Sequence, residues 1–336
     1  MHILTDISLK PYNTFGINTF ARYFTSFSNV NELREILSQT KISDIPPLIL
    51  GGGSNMLLTK NPEIVLKNEI KGIEKIKEDE QSVFIRIGAG EVWHDFVMHC
   101  IDNNWAGVEN LSLIPGNAGA APMQNIGAYG VEIKDVFHSL QAFHLHDKAI
   151  VTLYRDDCTF GYRESVFKNK YKDQFVIVSV TLRLYKHPHF NTSYGAIGKE
   201  LDSMGVKELS IRAVSQAVIN IRTSKLPDPK KIGNAGSFFK NPEVAAEKYD
   251  QLKKDFPGII AYPARDQFKL AAGWMIEQCG WKGYRKGDAG VHDRQSLVLV
   301  NYGKASGNDI YLLSEEIQKS VWEKFSVRLE REVNII

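Results

Sequence analysis

The amino-acid sequence predicts an α+β protein, and two observations carry the prediction. Short Val- and Ile-rich runs end abruptly in glycine-rich loops, as strands that feed a ligand loop do. Between and after them lie segments whose apolar residues recur at helical spacing. No internal repeat or low-complexity stretch interrupts this pattern. At 336 residues, 43% of them apolar, the chain has material for two or three domains with real cores. The first two glycine loops read as parts of one nucleotide-binding domain, and a second domain is expected from about residue 215.

Taken in order, Pro47–Leu50 is an apolar run that stops at Gly51-Gly52-Gly53-Ser54-Asn55. Val83–Ile87 is a second strand, ending in Gly88-Ala89-Gly90, and Glu91–Asn103 places Val92, Phe96, Val97, Cys100 and Ile101 on one helical face. The stretch from Ile114 to Gly130 is too dense in small residues for an ordinary loop. Phe175–Tyr185 reads as a central strand, and Lys186-His-Pro-His189 breaks it. Beyond Asn220 comes a basic loop that contains Ser237. Helices are then expected at Lys248–Lys254 and Leu270–Cys279, a strand at Ser296–Asn301, and an amphipathic helix at Asp309–Phe325 with Ile310, Leu313, Ile317, Val321 and Phe325 inward. The tail, Val327–Ile336, alternates as a strand, with Val327, Leu329, Val333 and Ile335 on one face.

A formal charge of +2 argues against a general nucleic-acid or membrane-surface binder, so any anion site must be local. The first ten residues lack the basic flank and apolar run of a secretory signal. No apolar run approaches the roughly 20 residues of a membrane span. Cys100, Cys158 and Cys279 are odd in number and far apart, which suits thiols of a reducing cytoplasm. With no H-E-x-x-H among nine histidines, no metal site is expected.

Lys231–Asn241 concentrates the chemistry. Ser237 follows Gly233 and Gly236, and Arg222, Lys225, Lys230 and Lys231 outnumber Asp228 upstream. The pattern suits an anionic ligand met by a reactive hydroxyl, although a glycine-rich turn with a capping serine reads the same way. It is no hydrolase elbow, because G-x-S-x-G would need glycine at Ala235 and Phe239. Gly51–Asn55 lets backbone N–H groups approach a pyrophosphate, yet it fits neither G-x-G-x-x-G, since Met56 stands where glycine is required, nor the G-K-[ST] phosphate loop. Three glycine loops of neither type point to a different dinucleotide fold, with tight turn packing as the plain alternative for each.

The motifs Gly51-Gly-Gly-Ser-Asn55, Ile114-Pro-Gly-Asn-Ala-Gly119, Gln124-Asn-Ile-Gly-Ala-Tyr-Gly130, Phe160-Gly-Tyr-Arg-Glu-Ser165, Lys225-Leu-Pro-Asp-Pro229, Gly233-Asn-Ala-Gly-Ser-Phe-Phe-Lys-Asn-Pro242 and Glu332-Val333 lie in this order. From Asn13-Thr-Phe-Gly16 to the C-terminus the chain thereby resembles the UDP-N-acetylenolpyruvoylglucosamine reductase family, in the subtype where a tyrosine loop (here around Tyr194) closes over substrate. The resemblance implies a vanillyl-alcohol-oxidase-type FAD domain in two α+β subdomains, residues 1–70 and 71–214, the latter completed by 326–336. A separate α+β substrate domain would span 215–325. It implies FAD, held non-covalently, since no His or Cys lies in Gly51–Asn55 or Gly116–Gly130, and His99 and Cys100 fall in an expected helix.

It further implies NADPH-dependent reduction of UDP-N-acetylglucosamine enolpyruvate in peptidoglycan precursor synthesis, by a cytoplasmic monomer whose partners are small molecules. Carried over residue by residue, Ser237 is the proton donor, and Arg163 and Glu332 polarise the enolpyruvyl carboxylate. Flavin contacts fall to Gly51, Gly52, Gly53, Ser54, Asn55, Pro115, Gly116, Gly119, Gln124, Asn125, Gly127, Ala128, Tyr129 and Arg222. Sugar-nucleotide and nicotinamide-nucleotide contacts fall to Tyr162, Tyr194, Lys225, Asn241, Tyr262, Lys282 and Gln295. Without the resemblance, Arg163 reads equally as a surface ion pair with Glu164 or Asp157, and Glu332 as a solvated residue beside Arg328 and Glu330. Two rivals stand beside the reductase: an O₂-using oxidase of the same flavin fold, and a nucleotide-sugar-binding protein that has lost its chemistry.

Overall fold

The computed structural model describes residues 2–39 and 46–336. By their contacts the described residues form two units: one within 1–7, 21–52 and 62–224, the other of 8–20, 53–61 and 225–336.

The first unit carries two sheets. In the smaller, Phe20–Phe27 and Leu48–Leu50 flank Ile64–Asn68 in parallel, and Leu4–Ser8 forms the edge. Helix α1 (Val30–Leu37) is capped by Asn29, whose side chain accepts the Glu32 N–H. Its buried Leu33, Ile36 and Leu37 share a core with Phe27, Ile64 and Leu66, and with Phe143, Val176 and Val178 of the second sheet. That second sheet is antiparallel, and Phe175–Tyr185 lies at its centre between Phe137–His144 and Ser82–Gly88. Helix α2 (Trp93–Asp102) buries Trp93, Phe96, Val97, Cys100 and Ile101 in the core formed with Val83, Ile85 and Ile87. Helices α3 (Gly195–Ser203) and α4 (Ile211–Lys225) pack Ile197 and Leu201 on Ala217, Val218 and Ile221.

The second unit has a four-stranded sheet ordered Gly233–Ser237, Val298–Asn301, Ala289–Val291, Arg285–Lys286, and a three-stranded sheet of Glu243–Ala245, Gln267–Leu270 and Ala261–Ala264. Helices α5 (Ala246–Asp255), α6 (Ala272–Gln278) and α7 (Gly307–Phe325) complete it. The capping box Ser306/Asp309 starts α7, whose inward residues Ile310, Leu313, Ile317, Val321 and Phe325 are the stripe the sequence predicts.

Five features differ from expectation. Arg222 and Lys225 lie on α4, and Ser237 ends a strand, so the segment read as one basic loop is helix, turn and strand. Helix α4 groups with the first unit through its packing on α3, so the contact division falls at 224/225 and not near 215. Residues 326–336, expected to complete the flavin domain, group with 225–325, because Asn334–Ile335 pairs in parallel with Met56–Leu57 of the second unit. Of the expected tail strand only Asn334–Ile335 is regular; Arg331 makes an isolated bridge to Phe239. The segment 8–20 also belongs to the second unit, and Gly233 shows the reason. A β-carbon on Gly233 would lie 2.2 Å from the Phe15 carbonyl oxygen, and Asn301 Nδ2 donates to that same oxygen at 2.9 Å.

Candidate active site

In the second unit the chain around Ser237 is shaped by Asn234. Its buried amide donates to the carbonyls of Pro227 (3.1 Å) and Ile232 (2.8 Å), and its Oδ1 accepts the Gly236 N–H at 3.0 Å. Asn234 pairs with Val300 and Ser237 with Val298, leaving a bulge between them in which Gly236 takes φ +70°. The bulge re-aims the strand at Ser237, which is half-buried. Immediately beyond, Phe238 and Phe239 are buried, and their chain runs beside the tail. Glu332 N–H donates to Phe238 O at 2.8 Å and Lys240 N–H to Glu330 O at 2.8 Å. The buried Lys240 ammonium reaches Glu330 Oε1 at 2.6 Å. Ser237 and Glu332, 95 positions apart in the numbering, thus sit on adjacent stretches of backbone. Asn55 holds the tail from its other side, with Nδ2 donating to Glu332 O at 3.3 Å and its own carbonyl accepting from Asn334 N (3.2 Å) and Nδ2 (2.9 Å).

The remaining expected contacts of this unit are dispersed along it. Asn241 Oδ1 accepts the Ala272 N–H at 3.0 Å, so it caps α6. Gln295 is half-buried close to the start of the same helix, where a β-carbon on Gly273 would lie 3.2 Å from its Oε1. Tyr262 is exposed on the Ala261–Ala264 strand, and Lys282 pairs with Glu277 at 2.9 Å. Lys225 is exposed at the end of α4.

In the first unit the glycine loops close on one another. A β-carbon on Gly52 would lie 2.9 Å from Gly116 Cα, and one on Gly119 2.6 Å from Ala89 Cβ. Gly119 N–H donates to Ala89 O at 2.9 Å, Ala118 N–H to Glu91 O at 2.8 Å, and Asn117 Nδ2 to Gly90 O at 2.9 Å. Glycine is therefore demanded here by loop-on-loop packing. Pro115 is exposed beside Gly116. The 124–130 segment is held by Asn125, fully buried at φ +44°, whose Nδ2 donates to Gly161 O (2.9 Å) and Glu132 Oε2 (3.0 Å). This places Gln124, Gly127, Ala128 and Tyr129 beside the loop that carries Tyr162 and Arg163. Arg163, at φ +56°, donates from Nη2 to Gly127 O at 2.7 Å, and its guanidinium lies 5.5 Å from the Tyr162 ring centre.

Tyr194 packs edge-on against Tyr129, with centroids 5.5 Å apart. Its segment is tied down by Asn110, whose Nδ2 donates to Tyr129 O and Asn191 O. Desolvation pushes the Tyr129 hydroxyl pKa up, against the pull of Arg222. Arg222 is drawn below the ordinary arginine value by desolvation, and the charge of Arg163 acts in the same direction. The first unit thus gathers two guanidinium groups at Gly127–Tyr129. Asn125, Asn234 and Asn110 were not readable from the sequence as organising residues. Only the Asn that opens or interrupts each glycine motif hinted at the first two.

The comparisons bear on both units. The profile of the FAD binding domain family matches residues 21–152, and that of the UDP-N-acetylenolpyruvoylglucosamine reductase C-terminal domain matches 228–336. The fold is similar to that of the solved UDP-N-acetylenolpyruvylglucosamine reductase from Thermus caldophilus, at TM-score 0.67 and 23% identity, over 100% of this chain and 99% of that one. The expected α+β class, with a flavin-type domain and a separate C-terminal domain, holds. Curated relatives named UDP-N-acetylenolpyruvoylglucosamine reductase include those of Flavobacterium johnsoniae (52% identity over 100% of both chains), Pseudomonas syringae pv. tomato (49%, 100% of this chain and 99% of the relative) and Amoebophilus asiaticus (49%, 100% of both). With half its residues identical over its whole length, the chain belongs to the UDP-N-acetylenolpyruvoylglucosamine reductase family.

Proposed function

We propose that this protein uses NADPH and FAD to reduce the enolpyruvyl ether of UDP-N-acetylglucosamine to UDP-N-acetylmuramic acid, for peptidoglycan synthesis. It acts as a cytoplasmic monomer on small molecules. Among the described residues no helix is long and apolar enough to cross a membrane. One observation carries the reading: a serine and a carboxylate distant in sequence are brought onto paired backbone by the Glu332 N–H bond to Phe238 O.

The residues of the first unit fit a flavin nucleotide. Side-chain-free loops and the Arg222 guanidinium suit a diphosphate. Gly51, Gly52, Pro115–Gly119 and Gln124–Tyr129 would hold it, with Asn125 acting through the loops that its buried amide ties together. Bound FAD would supply the hydride chemistry, taking a hydride from the nicotinamide and giving it to the substrate.

The chain's residues do the rest. Hydride addition at the terminal enolpyruvyl carbon leaves an enediolate whose inner carbon must gain a proton. The Ser237 hydroxyl, aimed by the Gly236 bulge, donates it; a neutral hydroxyl suffices towards a carbanionic centre held against it. Glu332 shares a proton with the developing enediolate and so keeps it short of full charge. Arg163 has its fork oriented by the bond to Gly127 O, which suits two-point binding of a carboxylate. Lys225 and Lys282 bring positive charge to phosphate. Tyr162, Tyr194 and Tyr262 supply flat contact area, and Asn241 and Gln295 polar contacts.

The test is a coupled assay on the purified yellow protein. NADPH should be consumed only when the enolpyruvyl sugar nucleotide is present. Steady NADPH consumption with O₂ alone would favour an oxidase, and a colourless protein that binds the sugar nucleotide would favour a binding module.

A further inference from the structure

The segment 111–116, which enters the second glycine loop, is gripped by the first turn of α2. Trp93 Nε1 donates to Leu111 O at 3.0 Å, Trp93 N–H donates to Gly116 O at 2.9 Å, and between them His94 Nδ1 accepts the Leu113 N–H at 3.0 Å. From the other side, α4 contributes Arg222 Nε, which donates to Leu113 O at 3.3 Å, and Ser215 Oγ, which lies 2.8 Å from Ser112 Oγ. Both polar groups of the Leu113 peptide region are thus engaged, and Leu113 itself stands at φ +58°. For a bulky residue that backbone conformation is an outlier and persists only where the surroundings enforce it.

We infer that His94 is a positioning residue for flavin binding: by accepting the Leu113 N–H at Nδ1 it holds Leu113 in its left-handed conformation and so presents Ile114–Gly116 in the shape that the cofactor requires. No role for this histidine follows from the motifs. Released from His94, Leu113 would relax to negative φ, and the loop that follows it would swing. The bond needs Nδ1 unprotonated, with the proton on Nε2. The surroundings favour that neutral form: partial burial pulls the pKa down, Arg222 on α4 adds to the effect, and Asp95 on the same helix opposes it. The inference rests on the flavin reading above.

The experiment measures the FAD dissociation constant of the full-length holoprotein, from the flavin fluorescence released on serial dilution. His94→Asn keeps an acceptor where Nδ1 stands; His94→Gln places its oxygen where Nε2 stands; His94→Leu has none. The Asn variant should stay close to wild type, and the Gln and Leu variants should bind FAD about tenfold or more weakly, the scale of a lost hydrogen bond with released strain. Should the Leu variant fail to fold, the Asn and Gln pair decides alone. Equal affinity of Asn and Gln variants would overturn the inference and leave the flavin reading standing. A wild-type protein that takes up no FAD would sink that reading itself.

Discussion

Glu332 donates its backbone N–H to the carbonyl of Phe238 at 2.8 Å, and this bond places the carboxylate-bearing residue one peptide from Ser237 on the facing chain. The bulge at Gly236 and the bond at Phe238 act on the same few residues. The backbone of the proposed proton donor is therefore held on both sides.

Ser237→Ala is expected to stop the second half-reaction and spare the first. NADPH should still bleach the flavin, because that transfer needs no proton from Ser237. Reoxidation by the enolpyruvyl substrate should slow by about 10²–10⁴-fold, the scale of a lost general acid. Cysteine at 237 should restore part of the rate. Stopped-flow absorbance separates the two steps, and near-normal turnover in the Ala variant would move the donor to Glu332 or to solvent.

Two glycines with positive φ should respond differently to alanine. At Gly53 (φ +61°) a β-carbon would lie 2.0 Å from the Tyr12 carbonyl oxygen, whereas at Gly236 (φ +70°) it meets no described atom within 4 Å. Gly236→Ala should cost about 1–2 kcal/mol, the strain of left-handed backbone alone. Gly53→Ala should cost more than about 4 kcal/mol, since backbone must also move. Urea midpoints of the two variants check the order.

Acid precipitation should release the yellow colour into the supernatant. Covalent attachment would need a histidine or cysteine at the flavin loops. Cys100 is fully buried in the α2 core, where burial pushes its thiol well above the ordinary range, His99 packs edge-on against Trp105 at 5.6 Å, and His94 is engaged at Nδ1 by the Leu113 N–H. Colour retained in the washed pellet would count against non-covalent binding.

Stability should fall as pH drops below the ordinary histidine pKa. His292 is buried, and desolvation holds its pKa below 6.5, with Arg294 acting the same way and Asp293 opposing. The unfolded chain then binds more protons than the folded one, so this contribution is present above about pH 6.5 and is lost as pH falls towards the folded-state pKa. Glu109 works in the opposite sense, its carboxyl raised by burial above 4.5. Comparing urea midpoints at pH 7.5 and 5.5 for wild type and His292→Asn isolates the histidine. The variant keeps an acceptor for the Arg294 N–H and should show the smaller drop.

The helices that face the core were legible because burial imposes a period. The α7 stripe and the central strand Phe175–Tyr185 lie where the apolar pattern puts them, and so does the α2 stripe except at Val92, which is the exposed N-cap while Trp93 is buried. Serine 237 was legible as part of a motif, but its bulge was not, since a bulge is a mismatch between two strands and only one of them is in the motif. The tail read as a full strand because alternation records which side chains are buried. It says nothing of whether a neighbouring backbone is in register to pair.

Sequence alone determined the α+β class, the apolar faces and the order of the glycine motifs. Those properties are local: each is a matter of side-chain type and spacing along a few turns. Tertiary structure alone decided that residues 8–20, 53–61 and 326–336 group with the C-terminal unit, that Glu332 lies beside Phe238, and that His94 meets Leu113. Each of these depends on a backbone hydrogen bond or close approach between segments far apart in the chain. The N–H groups that donate belong to the backbone and are common to every residue but proline, so the partner each finds, Phe238 O or His94 Nδ1, leaves no mark in the amino-acid pattern.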